Sequence, residues 1–205
     1  MGEDRGTTMR FFTCVIVLLG SLWALPARAE FHAQAGGGLH VPNGDSARFF
    51  EKGYRLELGV EYKFGNNLGL LVTGAYNRDK VDGDRINEEN PSIPAAATVT
   101  GHAEIYELNL LPKFYLLDSE NLGAYFIGGG GPRWFERKVT ITPPVGAPTP
   151  ARTLEKSERS LALQGGFGVE AILPGSLRIG INPMYTIAFA QHRVEYATLT
   201  IYLKL

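Results

Sequence analysis

Residues 54–64 read YRLELGVEYKF, and their side chains sort onto two faces. Tyr54, Leu56, Leu58, Val60, Tyr62 and Phe64 share one face, while Arg55, Glu57, Gly59, Glu61 and Lys63 share the other. Successive side chains of a β-strand leave the pleat in opposite directions, so this period of two predicts a strand. One face is wholly apolar and ends in aromatics; the other carries four charges. Alternation alone does not name the solvent on the apolar side, because soluble sheets also have one buried face. The aromatic spacing does. Tyr54 and Phe64 stand ten residues apart on the same face. At about 3.4 Å per residue and a tilt of about 40°, that is roughly 26 Å along the membrane normal, close to the apolar band of a transmembrane barrel.

The pattern recurs along the chain. Leu68–Tyr76, Tyr106–Phe114, Leu161–Ala171, Leu177–Tyr185 and Ala197–Leu205 each set an apolar face against a more polar or glycine-rich one. Weaker segments at Phe31–Val41 and Leu122–Gly130 bring the number of predicted strands to eight. Short links rich in Gly, Asn, Pro and Ser alternate with longer polar ones at about 42–52, 78–101, 132–158 and 188–193. Short turns on one side and long loops on the other describe an up-and-down transmembrane barrel with its turns in the periplasm. Residues 133–142 keep a faint alternation that could extend a hairpin beyond the bilayer.

A closed sheet with Leu, Val and Ile outside would be insoluble in water, so the apolar face is assigned to lipid and the charged face to the lumen. The expected aromatic girdle is Tyr54, Tyr76, Tyr106 and Tyr185 toward the outer rim, with Phe64 and Phe114 toward the inner. The expected lumen network is Arg55, Glu57, Glu61, Lys63, Glu107, Lys113, Glu170, Arg178 and Lys204. Glu57 and Glu107 would lie near mid-membrane, and most of the others toward the periplasmic end. Their mixed signs permit the pairing that buried charges need. Eight strands leave a bore that side chains can fill, which predicts a plugged interior.

The first segment reads as an address label. Arg5 and Arg10 precede an apolar run from Phe11 to Leu25, followed by small residues at Ala27 and Ala29. This order of basic, apolar and small residues predicts a signal peptide over 1–29, cleaved before Glu30, with the barrel domain over 30–205. The apolar run of about 15 residues falls short of the roughly 20 that a spanning helix needs.

Little in the chain suggests catalysis. The sole cysteine, Cys14, falls inside the predicted signal, so the mature chain offers no thiol for a disulfide, metal or nucleophile. Net charge is −1 among 205 residues, with no bulk pull toward nucleic acid. His32, His40, His102 and His192 make no metal-ligand spacing and read as surface or strand-end residues. Asp82-Gly83-Asp84-Arg85 begins like a calcium loop but lacks its later acidic positions, and reads as a solvated loop. Ser160 and Ser176 sit at strand edges, away from any His-carboxylate pair. We therefore expect no enzyme activity, cofactor or metal.

Residues from about 31 to 205 resemble the outer-membrane β-barrel superfamily of OmpA-like transmembrane domains and opacity-type porin-like proteins. The resemblance rests on Leu110-Leu111-Pro112-Lys113-Phe114-Tyr115, on Ala124-Tyr125-Phe126-Ile127-Gly128-Gly129-Gly130-Gly131 and on Gln164-Gly165-Gly166-Phe167-Gly168-Val169-Glu170. It also rests on a final strand with alternate apolar residues, ending in Leu205 where the family usually has Phe. The resemblance implies residence in the outer membrane of a Gram-negative envelope. Its implied partners are membrane lipid and lipopolysaccharide, the barrel assembly machinery, and an extracellular ligand met through loops. The expected role is envelope structure or surface interaction. A narrow ion or small-solute channel and a lipid A-modifying enzyme are the alternatives.

Overall fold

The computed structural model describes residues 29–65, 67–90, 93–94, 96–146, 150–174, 177–190 and 193–205, without the side chains of Ala29 and Arg193. The expected signal peptide lies outside these residues except for the Ala29 backbone, and so do Ser176 and His192. Eight strands follow one another: β1 (Ala29–Asn43), β2 (Gly53–Phe64), β3 (Leu68–Lys80), β4 (Thr98–Asp118), β5 (Leu122–Thr142), β6 (Arg152–Ile172), β7 (Arg178–Phe189) and β8 (Arg193–Lys204). Each pairs antiparallel with the next, and β8 closes on β1. Closure is made by residues far apart in sequence: Ala33 and Leu205 exchange backbone hydrogen bonds of 3.0 and 2.9 Å. A closed ring leaves no open sheet edge in lipid, where an unsatisfied backbone group costs several kcal/mol.

One end carries tight connections. Gly65, at φ +64°, turns β2 into β3 in a conformation that a Cβ would strain. Ser119 turns β4 into β5 by donating its hydroxyl to Leu122 O and accepting from Leu122 N. The other end is elaborated. A 3-10 helix (Gly44–Arg48) leads toward β2, and a short helix α1 (Gly83–Glu89) leads toward β4.

Two expected loops are therefore largely structured. Strands β4, β5 and β6 run 21 residues each. They absorb most of 132–158 and the end of 78–101, leaving 143–151 between β5 and β6. Above the bilayer both faces of a strand meet water, so no apolar period marks it. Gly83-Asp84-Arg85 are likewise helical rather than loop, and Asp82 caps α1, its carboxylate accepting from Arg85 N at 3.2 Å.

The exterior is apolar over the membrane band. Leu58 is 69% exposed and Leu163 59%, among many outward Leu, Val and Ile. Aromatics bound this band. Toward the elaborated end, the Tyr54 and Tyr76 rings lie 6.0 Å apart and those of Tyr76 and Tyr106 5.2 Å. Tyr185 stands outward on β7 and donates its hydroxyl to Glu195. Toward the tight turns, the Phe31, Tyr62 and Phe64 rings meet in succession, tilted at 4.7 Å and edge-to-face at 4.5 Å. Phe114 lies opposite Phe126, and Phe126 opposite Phe167. Leu58 sits between the two belts, so Leu58→Arg is expected to cost about 2–4 kcal/mol, as cations do at the bilayer midplane. Urea titration of the protein folded in lipid vesicles measures this; an unchanged midpoint would place that face away from lipid.

Candidate functional site: the barrel lumen and its outer mouth

Alternation turns every second residue of each strand into the bore, and the sheet registers then decide which inward residues meet. The nine expected lumen residues separate into two clusters. In the outer one, Arg55 of β2 is the hub and is 1% exposed. Its guanidinium donates to Glu57 at 2.7 and 3.1 Å, to Glu107 of β4 at 2.9 Å and to Asn77 of β3 at 3.0 Å. Gln34 of β1 donates to the second oxygen of Glu57 at 3.2 Å, and Tyr196 of β8 donates to that of Glu107. Arg133 of β5 lies over the Tyr196 and Phe135 rings at 5.0 and 5.6 Å.

The second cluster lies toward the tight turns. Lys113 of β4 donates to Glu61 of β2 at 2.8 Å. Lys204 of β8 reaches Glu61 at 3.3 Å and Glu170 of β6 at 2.7 Å. Below them, Arg178 lies 3.4 Å from Asp118, which also pairs with Lys63. Three tyrosines fill the gaps. Tyr115 donates to Glu61, Tyr202 donates to Glu170 at 3.3 Å, and the Tyr125 and Tyr202 hydroxyls are 2.9 Å apart. Lys113 Nζ stands 3.8 Å from the centre of the Tyr125 ring. Inward glycines make room for these rings: a Cβ at Gly168 would collide with Tyr125, and one at Gly180 with Tyr202. Leu71, Leu111, Ile127 and Met184 join this layer as apolar filling.

Sequence reasoning misses Tyr115, Tyr125, Tyr196, Tyr202, Asn77, Arg133 and Asp118. In sequence, tyrosine reads as a girdle residue. Yet Tyr115 shares the parity of Lys113, and Tyr202 that of Lys204, a signal that places both inside. His40 is a correction. It is no surface residue but 1% exposed, with Nδ1 2.7 Å from Asp79 and its ring 4.4 Å from that of Tyr196. Its β1 segment, Gly36-Gly37-Gly38-Leu39-His40, has no polar-apolar contrast from which burial could be read.

Above His40 and Asp79 the lumen ends in apolar packing. Val81, Val99 and Val139 form a buried cluster covered by Phe50, Ile86 of α1, Ile93 and Ile141. Beside it, a cleft of about 410 Å³ opens between the 3-10 helix and the inner face of β5 and β6. Among the described residues no group of three or more His, Cys, Asp or Glu could hold a metal ion.

A closed eight-stranded sheet with an apolar, aromatic-bounded exterior and charges paired inside is the architecture of a transmembrane β-barrel. Residues 12–204 match the family model described as the outer membrane protein beta-barrel domain, and the chain belongs to that family. It is a protein of the bacterial outer membrane. Among solved structures it is similar to Neisserial surface protein A at 12% identity, covering 86% of this chain and 97% of that one with a TM-score of 0.53. It is also similar to Ail, the attachment invasion locus protein of Yersinia pestis, at 16% identity, 86% and 98% coverage and a TM-score of 0.48. A major outer membrane protein from Thermus thermophilus gives 15% identity, 87% and 100% coverage and a TM-score of 0.48. At these identities the likeness to the Neisserial protein is one of fold. No curated protein matches the sequence.

Breaking a buried pair leaves its partner charged in a poor solvent. Arg55→Met strands both Glu57 and Glu107 and is expected to cost about 3–5 kcal/mol. Tyr115→Phe removes one donor from Glu61 and is expected to cost about 1–3 kcal/mol. Refolding midpoints in detergent micelles give both values; if both fell within error of the parent, the clusters would contribute nothing to stability.

Proposed function

We propose that this outer-membrane barrel is a non-enzymatic interaction protein. Its lumen is plugged by paired charges, and its extracellular wall and loops meet a partner. The observation that carries this reading is the asymmetry of the outer rim. β7 ends at Phe189, which pairs with Leu161, whereas β6 continues outward over 152–160 paired with β5. Three long strands thus stand as a wall above the membrane. Rigid strands present side chains more reproducibly than a loop does, which suits recognition. Outside the upper girdle, Arg78, Lys80, Lys138 and Arg159 are positioned to meet lipopolysaccharide phosphates. The last strand, whose alternate residues are apolar up to Leu205, is the element offered to the barrel assembly machinery.

One observation favours a narrow ion path instead. Thr73, Gln164, Asn182 and Thr186 each hold a buried polar atom with no hydrogen-bond partner among the described residues. Such groups suit a file of water. Planar-bilayer recording separates the two readings. The plugged lumen predicts no stable unit conductance, and reproducible openings that change with Glu57→Gln would overturn it. A changed acyl pattern after incubation with lipid A would overturn the non-enzymatic reading.

A further inference from the structure

None of the seven residues of α1 is buried. A helix this short is marginal in water, so its caps and contacts hold it in shape. Asp82 caps its start, and at its end Asn90 Nδ2 donates to Ile86 O at 3.0 Å. Ile86 packs against Val81, Val99 and Val139. Val99 shares the inward parity of Glu107, and Val139 that of Arg133, so α1 covers the inner side of the strand ends. Beneath these valines lie His40 and Asp79, at 1% and 2% exposure.

The two faces of α1 are held differently. Gly83 and Asn87, one turn apart, face β4. A Cβ at Gly83 would stand 2.0 Å from Val99 O, and Asn87 Nδ2 donates to Ala97 O at 2.8 Å, just before β4 begins. The root of the helix is fixed as well, since Asp82 N donates to Phe49 O at 3.0 Å. Arg85 stands on the opposite face. Its Nη1 donates to Ala47 O at 3.1 Å, in the 3-10 helix that packs on β1 and β8. This side chain is 55% exposed, so water can replace its bond to Ala47 at little cost.

We propose that α1 is a lid over the outer mouth, hinged on β4 and latched by Arg85 to the 3-10 helix, and that it opens while the barrel stays folded. Elements with little buried apolar surface open locally at low cost. The bore below is tied by charges paired across four strands and does not follow. Closed, the valine cluster is a water-excluding constriction, the kind that gates narrow paths by dewetting. Open, it joins the neighbouring cleft of about 410 Å³ and exposes His40 and Asp79 to the outside. The lid thus sets when the upper lumen is reached from the cell exterior. It goes beyond the surface-interaction reading and stands apart from conductance, because the charge ring lies further in.

The test is thiol labelling by a cationic methanethiosulfonate, with the full chain folded in phosphatidylcholine nanodiscs. Cys14→Ser leaves the introduced thiol as the only one. Val99→Cys and, separately, Val139→Cys place it under the lid. Thr73→Cys places it deep in the lumen and Glu89→Cys on the exposed side of α1. Thiols under the lid are expected to react at least about tenfold slower than the Glu89→Cys thiol and about tenfold faster than the Thr73→Cys thiol, since local opening costs less than global opening. Arg85→Met is expected to speed labelling under the lid about fivefold, through loss of one hydrogen bond, and Arg85→Lys, which keeps a donor, to speed it less. Heat-dependent gel migration checks that each variant is folded. Labelling under the lid as slow as at Thr73→Cys would mean that α1 opens only with the barrel. Labelling as fast as at Glu89→Cys would mean that it covers nothing. Either result, or indifference to Arg85→Met, would overturn the proposal.

Discussion

Glu61, Lys113, Glu170 and Lys204 come from β2, β4, β6 and β8, and their charges alternate in sign around the bore. All but Glu170, at 1%, and Lys113, at 1%, are wholly shielded from solvent. Much of the structure answers to this ring. Each cation needs its anion at hydrogen-bond distance, because an ion removed from water is compensated only by close, well-directed partners. That fixes the register of four strands at once. Gly168 and Gly180 give up their side chains so that Tyr125 and Tyr202 can approach. Tyr202 then donates to Glu170, and the Tyr125 and Tyr202 hydroxyls bond one another. The outer cluster repeats the logic, with one guanidinium serving two carboxylates and an amide.

The barrel is legible in the sequence where the two faces of a strand meet different media. Between Tyr54 and Phe64 one face meets lipid and the other a crowded polar bore, so every residue reports its side. Parity thus places all nine lumen charges on one side of the sheet. It does not say which will touch: that Arg55 meets Glu107 rather than Glu170 depends on stagger around the closed sheet, which is set by all eight strands together. Legibility also fails where the contrast vanishes. The outer parts of β4, β5 and β6 have water on both faces, and Gly36–Gly38 carry no side chains to compare. Tyrosine is ambiguous because a ring with a hydroxyl suits both a membrane interface and a polar interior.

The two ends of the molecule follow different constraints. At the tight-turn end the connections are short, three residues from β2 to β3 and from β4 to β5, and the lumen carries ion pairs as far as Lys63, Asp118 and Arg178. At the outer end, the inward packing passes from His40 and Asp79 to the valines beneath α1. The wall then rises on one side, since β5 and β6 continue past the point where β7 and β8 turn back. This lopsided rim gives the outside a direction: one flank is a tall sheet and the other is open.

The sequence separation within the charge ring has a consequence for assembly. Glu61 and Lys204 lie 143 residues apart, and their contact forms once β8 has closed on β1. Before that, a half-wound sheet entering the bilayer would turn Glu61, Lys113 and Glu170 toward hydrocarbon with their partners incomplete. A partly wound sheet therefore leaves these charges incompletely paired, which is costly away from water. The final strand thus completes the ring, and a chain cut short before Lys204 would leave Glu61 and Glu170 without the cation they share.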